Sequence, residues 1–262
     1  MNLMHNYWCF TSAISHHVCD QIMELGLTQM IEQKNKYGEV AIMGSTGDWR
    51  QKKQIDNSIP ANDKTVEELL TSGIDTTTTY VRDSNVTFLD NPSLYELVWP
   101  FIHTANKNAG WNFDWDYTEE MQFTRYGVNQ FYGWHTDSNS SPFQKFDPAV
   151  DEVHKNPDGT PFINQLGQPM PEDHNKTDNP NMVNKIRKLS VTISLNDPDE
   201  YDGGNLQFDF GPHKEVRYHT CTEIRPKGSV IVFPSHVYHQ VSPVTRGTRY
   251  SLVCWNLGAA FR

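Results

Sequence analysis

Cysteine is sparse in this chain: four thiols, Cys9, Cys19, Cys221 and Cys254, in 262 residues, with no CxxC pair among them. Neither a zinc–cysteine cluster nor a disulfide framework fits that spacing, so the thiols are expected to be reduced and mostly buried, as in a cytoplasmic protein. Positive charge is also short. Lysine and arginine number 22 against 32 aspartates and glutamates, a net charge of −10, which argues against a nucleic-acid groove and against docking on an anionic membrane. Long apolar runs are missing too. The most apolar stretches, such as residues 230–233, are a fraction of the ~20 residues that span a bilayer. The first residues show no charged segment followed by an apolar one, so no secretory signal is expected. What remains, 37% hydrophobic and 21% charged residues, is the composition of a soluble globular protein able to bury a substantial core.

Periodicity then divides the chain. Ser15 is placed to cap a helix that reaches about Leu25 and is closed by Gly26 or Leu27, with Val18, Ile22 and Leu25 facing inward. His16 and His17 fall in its first turn as surface histidines. Residues 44–63 are polar and irregular, and Thr65 and Glu68 have capping-box spacing for a short helix ended by Gly73. Residues 76–80 and 85–89 are strand-like. Asn91 and Pro92 open another helix through Leu94, Leu97, Val98 and Phe101, ending near residues 108–110, with His103 on its surface. From Trp111 short strands take over, at 111–117, 120–126, 188–196, 205–210, 216–222, 229–233 and 248–256, with turns at 198–204 and 243–247. Short strands separated by turns, with helices towards the N-terminus, predict an antiparallel sandwich or barrel. Residues 138–185 interrupt the pattern with seven of the fifteen prolines. Because so long a loop is commonly functional and this one starts directly after Asp137, it is expected to form a lid or substrate-binding flap.

The chemistry gathers in Tyr126-Gly-Val-Asn-Gln-Phe-Tyr-Gly-Trp-His-Thr-Asp137. His135 and Asp137 are two residues apart, so on a strand or strand end both side chains leave one face. His239 follows about a hundred residues later. Two imidazoles and a carboxylate can occupy one face of an octahedral ferrous ion and leave the other positions open, the ligand set of non-heme iron oxygenases. His236 competes for the third place, but it follows Pro234 at a strand entrance, whereas His239 is read on the strand itself. No HExxH motif or evident general base supports a zinc hydrolase. Ten residues past His239 comes Arg249. Alternation puts Arg249, Ser251, Val253 and Trp255 on one face and Tyr250, Leu252 and Cys254 on the other. A guanidinium inside a barrel is costly without an anion. A dicarboxylate cosubstrate would supply one through a bidentate pair, with the Ser251 hydroxyl as a further donor. The alternative is a structural ion pair with a protein carboxylate.

These residues carry a resemblance. Tyr126, Tyr132-Gly-Trp-His135-Thr-Asp137, Gly203-Gly204 ahead of a strand, and His239 followed by Arg249-Tyr-Ser251 together resemble the Fe(II)/2-oxoglutarate-dependent dioxygenases, most closely the prolyl 4-hydroxylase and PKHD-type hydroxylase branch. Val81-Arg-Asp-Ser-Asn-Val-Thr-Phe-Leu89 and residues 248–255 are similar to that branch as well, and the likeness covers most of residues 8–262 outside 138–185. It implies an α+β, mainly β fold. A double-stranded β-helix (jelly-roll) core would occupy 111–262, with the insertion at 138–185, and supporting helices would lie in 1–110, all within one oxygenase domain. It implies Fe(II) held by His135, Asp137 and His239, and 2-oxoglutarate held by Arg249 with Tyr126 and Ser251. O2 would be the second cosubstrate, Tyr132 would line the substrate side, and Trp255 would back the pocket.

The implied reaction hydroxylates a C–H bond, with a prolyl residue of a peptide or protein the favoured acceptor, and releases succinate and CO2. The alternatives are the same chemistry on a free amino acid or small metabolite, and a non-catalytic β-helix binding module. Two features depart from the family pattern. Asn129 stands where glycine is frequent, so that turn is expected to differ, and 138–185 replaces a usually shorter substrate loop. Retention of Asp137 argues against the halogenating relatives, which replace that carboxylate.

Overall fold

The computed structural model describes residues 5–37, 82–139, 141–155, 159–161, 169–173, 175–212 and 217–261. The expected irregular stretch at 44–63, the helix after Thr65 and the strand at 76–80 lie outside the described residues.

The first helix starts as its sequence dictates but ends later. Ser15 Oγ accepts from the Val18 amide at 3.3 Å, and the helix runs through His16–Tyr37 without stopping at Gly26. A glycine in mid-helix costs ~1 kcal/mol relative to alanine, and here the reason lies across the interface. A Cβ at Gly26 would come 2.3 Å from the Phe123 ring, so the missing side chain lets the helix lie directly on a strand. Ile22, Gly26, Met30 and Gln33 therefore form the buried stripe, while Leu25 turns outward. The Pro92–Asn108 helix matches its sequence signals. Asn91 Oδ1 accepts from the Ser93 amide, Pro92 takes the first position, and Leu94, Val98, Ile102 and Ala105 are buried.

Two antiparallel sheets form the body. The larger runs Trp8–Phe10, Val230–Pro234, Lys185–Ser194, Arg249–Ala259, Met121–Tyr126 and Asn85–Leu89, with Tyr117–Thr118 also paired to Arg249–Ala259. The smaller runs Tyr218–Thr220, Leu206–Asp209, Tyr238–Val241, Phe131–His135 and Arg82–Asp83. From Met121 onward the main strands alternate between the two sheets, which is the winding of a double-stranded β-helix. One face of the larger sheet, including Phe123, Leu189, Val191, Ile193, Leu252 and Cys254, packs with the helices. Between the sheets, Leu206 and Phe208 cluster with Ile231 and Phe233. Fully burying a side chain of this size contributes ~1.5–3 kcal/mol, so these two layers hold the strands that carry the site.

Three expectations need correction. Residues 198–204 and 243–247 are not simple turns, because Tyr201–Gly203 pairs with Val244–Gly247 through a bulge beside Gly203. Residues 111–116 form no strand; the Asn106 side chain instead bonds the Phe113 amide and carbonyl and holds this stretch to the helix end. The described part of 138–185 is partly regular. Gln144–Lys145 pairs in parallel with Lys176–Thr177, and Phe143 and Phe146 are buried. Among the described residues no helix is long and apolar enough to cross a membrane.

Candidate metal centre and its surroundings

Two neighbouring strands of the smaller sheet bring the histidines together, with His239 directly opposite His135. Asp137 follows where the chain leaves the sheet, its amide and that of Ser138 both donating to the Ser235 carbonyl at 2.9 Å. His135 Nε2 lies 3.5 Å from Asp137 Oδ1, and His239 Nε2 lies 3.6 Å from Asp137 Oδ2. The three candidate ligand atoms fall within 4.8 Å of one another, and all three residues are buried. Each imidazole is oriented from behind. Nδ1 of His135 donates to the Gly133 carbonyl at 2.7 Å, and Nδ1 of His239 to the Val237 carbonyl at 3.0 Å. A carbonyl only accepts, so the ring proton sits on Nδ1 and the Nε2 lone pair is left for a metal.

Charge follows the same logic. Burial pushes His239 down to about 4, and neighbouring His135 acts in the same direction. The ring is therefore neutral near pH 7, as a ligand must be. Burial by itself would raise the Asp137 carboxyl, but His239 and then His135 outweigh it and hold the group well below the usual carboxylate range. The site presents two imidazole nitrogens and one anionic carboxylate.

Tyr132 reaches the site through an irregularity. Val241 pairs with Tyr132 while His239 pairs with His135, so this stretch has one more residue than its partner strand. The extra residue reverses the alternation, and the Tyr132 ring stacks on His135 at 3.5 Å between centroids. The Arg82 guanidinium lies over the same ring, 4.5 Å from the Tyr132 centroid. Arg82 is buried, donating to Ser84 Oγ at 2.7 Å and Gln122 Oε1 at 3.2 Å.

Arg249 is 2% exposed and directly opposite Tyr126, its guanidinium 5.5 Å from that ring. It donates to Ser251 Oγ at 3.2 Å, and among the described residues no carboxylate pairs with it. Ser251 thus serves first as an acceptor that orients the arginine. Gly204 makes the room: its φ is +59°, and a Cβ there would meet Arg249 Cδ at 2.9 Å and Val244 Cγ2 at 3.0 Å. Tyr126 belongs to a small cluster with Val241 and Val244 on which Tyr132 packs, a contact chain from Arg249 to His135.

Trp255 shares a cluster with Phe143 and Leu257, with Met182 against them, so the root of the 138–185 insertion is seated on it. The Arg187 guanidinium lies 4.1 Å from the Trp255 ring and grips Glu119 through two bonds of 2.6 Å. Burial would lower the Arg187 pKa; Glu119 outweighs it, and Asp137 adds to the effect, so the arginine stays charged. His236, the rejected third ligand, instead neighbours Phe113 and Phe261. Asn129 occupies the left-handed region at φ +67°, a conformation open to glycine and asparagine alike, which explains the departure from the family pattern. No sequence pattern singles out Arg82, Glu119 or Arg187; Arg187 is one of three basic residues on its strand, with Lys185 and Lys188.

Comparison with known proteins gives a consistent result. The sequence model of the 2OG-Fe(II) oxygenase superfamily matches residues 121–256. A PKHD-type hydroxylase of Xylella fastidiosa (strain M23) is 32% identical over 136 residues, 51% of this chain and 42% of the relative's length. Another, from Maricaulis maris (strain MCS10), is 47% identical over 68 residues, 26% of this chain and 28% of the relative. The matched stretch thus spans less than half of either relative. Among solved structures, the viral collagen prolyl hydroxylase of Paramecium Bursaria Chlorella virus-1 in its 2OG complex superposes with a TM-score of 0.52 at 15% identity, covering 98% of each chain. A Pseudomonas putida prolyl-4-hydroxylase gives 0.50 at 14% identity, covering 97% of this chain and 92% of that one. At these identities the likeness is one of fold.

Proposed function

Because this chain belongs to the 2OG-Fe(II) oxygenase superfamily, we propose that it is a 2-oxoglutarate-dependent hydroxylase of peptides or proteins, with a prolyl residue as the acceptor. The residues present fit the iron and the cosubstrate. The donor set of two imidazoles and a carboxylate suits Fe(II), and the buried Arg249 lacks a carboxylate partner among the described residues, as the holder of a dicarboxylate should. That second observation carries the reading, since an uncompensated buried charge otherwise costs several kcal/mol.

In this proposal His135, Asp137 and His239 hold Fe(II), which when bound supplies the dioxygen activation needed to hydroxylate a C–H bond, with succinate and CO2 released. Arg249 binds the far carboxylate of 2-oxoglutarate, Ser251 fixes the guanidinium and Tyr126 completes the wall. The carbonyls of Gly133 and Val237 keep the ring protons on Nδ1. Tyr132 covers the His135 ring and borders the acceptor, and Trp255 backs the substrate side where the 138–185 segment acts as a flap. Residues 1–262 work as one oxygenase domain, and four free thiols support a reducing, cytoplasmic setting.

The test is turnover with Fe(II) and 2-oxoglutarate in the presence of proline-containing peptides or of free amino acids, following succinate and the mass of the acceptor. The proposal expects peptide-stimulated succinate release and a gain of one oxygen on proline. Stimulation by free amino acids alone would replace the acceptor class. Absence of 2-oxoglutarate consumption with every acceptor would remove the enzymatic reading.

A further inference from the structure

Away from the metal centre, a cleft of about 470 Å³ opens between the Pro92–Asn108 helix, the Tyr117–Thr118 strand and Asn179. Three aromatic side chains line it, Tyr95, Trp99 and Tyr117, with three carboxylates, Asp90, Asp116 and Glu120. Each aromatic is fixed by its polar tip. Tyr95 OH donates to Asp90 Oδ1 at 3.0 Å, and Trp99 Nε1 donates to Thr118 Oγ1 at 3.0 Å, which in turn donates to Asn256 Oδ1 at 2.8 Å. The Tyr117 hydroxyl accepts from Asn179 Nδ2 at 2.8 Å. Tyr95 and Trp99 stand 6.0 Å apart between centroids, and Trp99 remains 41% exposed. These walls are set before anything binds, which removes much of the ordering cost of association.

The charges are unbalanced. Lys185 pairs with Asp116 at 2.8 Å and lies 5.6 Å from the Tyr117 centroid, so the chain's own lysine already uses an aromatic face together with a carboxylate. Glu119 is neutralised by Arg187. Glu120 has no ion pair or hydrogen bond among the described residues. Burial of part of the side chain, and then Asp90 and Glu119, push its carboxyl upward, while the residue as a whole stays exposed at the rim of the cleft, open to a cation from solvent. Aromatic faces attract cations, alkylammonium groups included, and the attraction grows as water is excluded.

We propose that this cleft is a binding site for the alkylammonium head of a lysine side chain presented by a polypeptide partner, held between the faces of Tyr95, Trp99 and Tyr117 and paired with Glu120. It uses no residue of the metal site and stands or falls independently of the oxygenase assignment. The probe is Nα-acetyl-lysine methylamide, with the isosteric norleucine derivative as the uncharged control, titrated against metal-free protein and followed by chemical shifts of the Trp99 indole N–H. Saturable shifts with the lysine compound, a dissociation constant raised at least fivefold in Glu120→Gln, and none with norleucine are the expected result. Glu120→Gln is nearly isosteric, and an unchanged thermal melt certifies its fold; Trp99→Leu is the second variant and should abolish the affinity. Equal binding of both compounds, no saturable binding, or affinity unaltered in Glu120→Gln overturns the proposal.

Discussion

Gly204→Ala tests the placement of Arg249 directly. The residue has a φ of +59°, and an added Cβ would stand 2.9 Å from Arg249 Cδ and 3.0 Å from Val244 Cγ2. Holding an L-residue in the left-handed region costs ~1–2 kcal/mol, or a melting-temperature loss of about 2–8 °C at this chain length. The steric contact adds a functional effect, because both neighbours sit closer than ordinary van der Waals distance and the arginine stem must move. Losing one charge-assisted bond to a carboxylate costs about 1.5–3 kcal/mol, so the affinity for 2-oxoglutarate should fall roughly ten- to hundredfold. Gly211→Ala is the control. Its φ is +88° and nothing lies within 4 Å of the added carbon, so it carries the backbone strain without the contact. Isothermal titration of 2-oxoglutarate into both variants under anaerobic Fe(II) separates the two effects. Equal affinities in Gly204→Ala and Gly211→Ala would refute the claim that Gly204 exists to seat Arg249.

Other perturbations have defined outcomes. Glu119→Gln removes the charge opposite Arg187 from a largely buried bidentate pair and should cost ~3 kcal/mol in urea denaturation; a loss below about 0.5 kcal/mol would mean the pair behaves as an exposed one. At Asn129, φ +67°, glycine should be tolerated within ~1 kcal/mol, whereas valine should destabilise by at least ~1–2 kcal/mol; equal melting of the two variants would contradict the turn assignment. His239 titrates in the metal-free fold at about 4 instead of 6.5, so the folded state resists protonation more than the unfolded chain. Its stabilising effect is complete above pH 6.5 and is lost as pH falls from there towards 4, amounting to a few kcal/mol. Urea midpoints of metal-free protein between pH 7 and 4.5 should decline, and His239→Asn should flatten the curve; identical curves would dismiss the buried-neutral reading.

Local chemistry was legible in the sequence, and long-range geometry was not. Ser15 and Asn91 announce helix starts because a cap acts within three residues of itself. The spacing of His135 and Asp137, with His239 and Arg249 downstream, was readable because strand alternation and ligand chemistry are local rules. Those rules fail where a bulge intervenes. Simple alternation from His135 would put Tyr132 on the opposite face, yet the extra residue before His135 stacks the two rings. A second register shift, where Asn256 pairs with Leu189 but Leu257 with Arg187, hides the facing of Arg187 in the same way. Gly26 looks like a helix terminator in the sequence, which shows the glycine and not the Phe123 ring across from it. Arg82–Gln122 and Arg187–Glu119 join residues 40 and 68 positions apart, which no local pattern encodes.

The central claim is that His135, Asp137 and His239 hold Fe(II) while Arg249 anchors 2-oxoglutarate beside it. Its most direct measurement is an anaerobic titration of Fe(II) and then 2-oxoglutarate, watching the visible metal-to-ligand charge-transfer band. The account predicts a saturable band in the native protein, none in His135→Ala, and a band needing far more 2-oxoglutarate in Arg249→Gln. A well-folded native protein that develops no band, or an Arg249→Gln variant that titrates like the native chain, would contradict it.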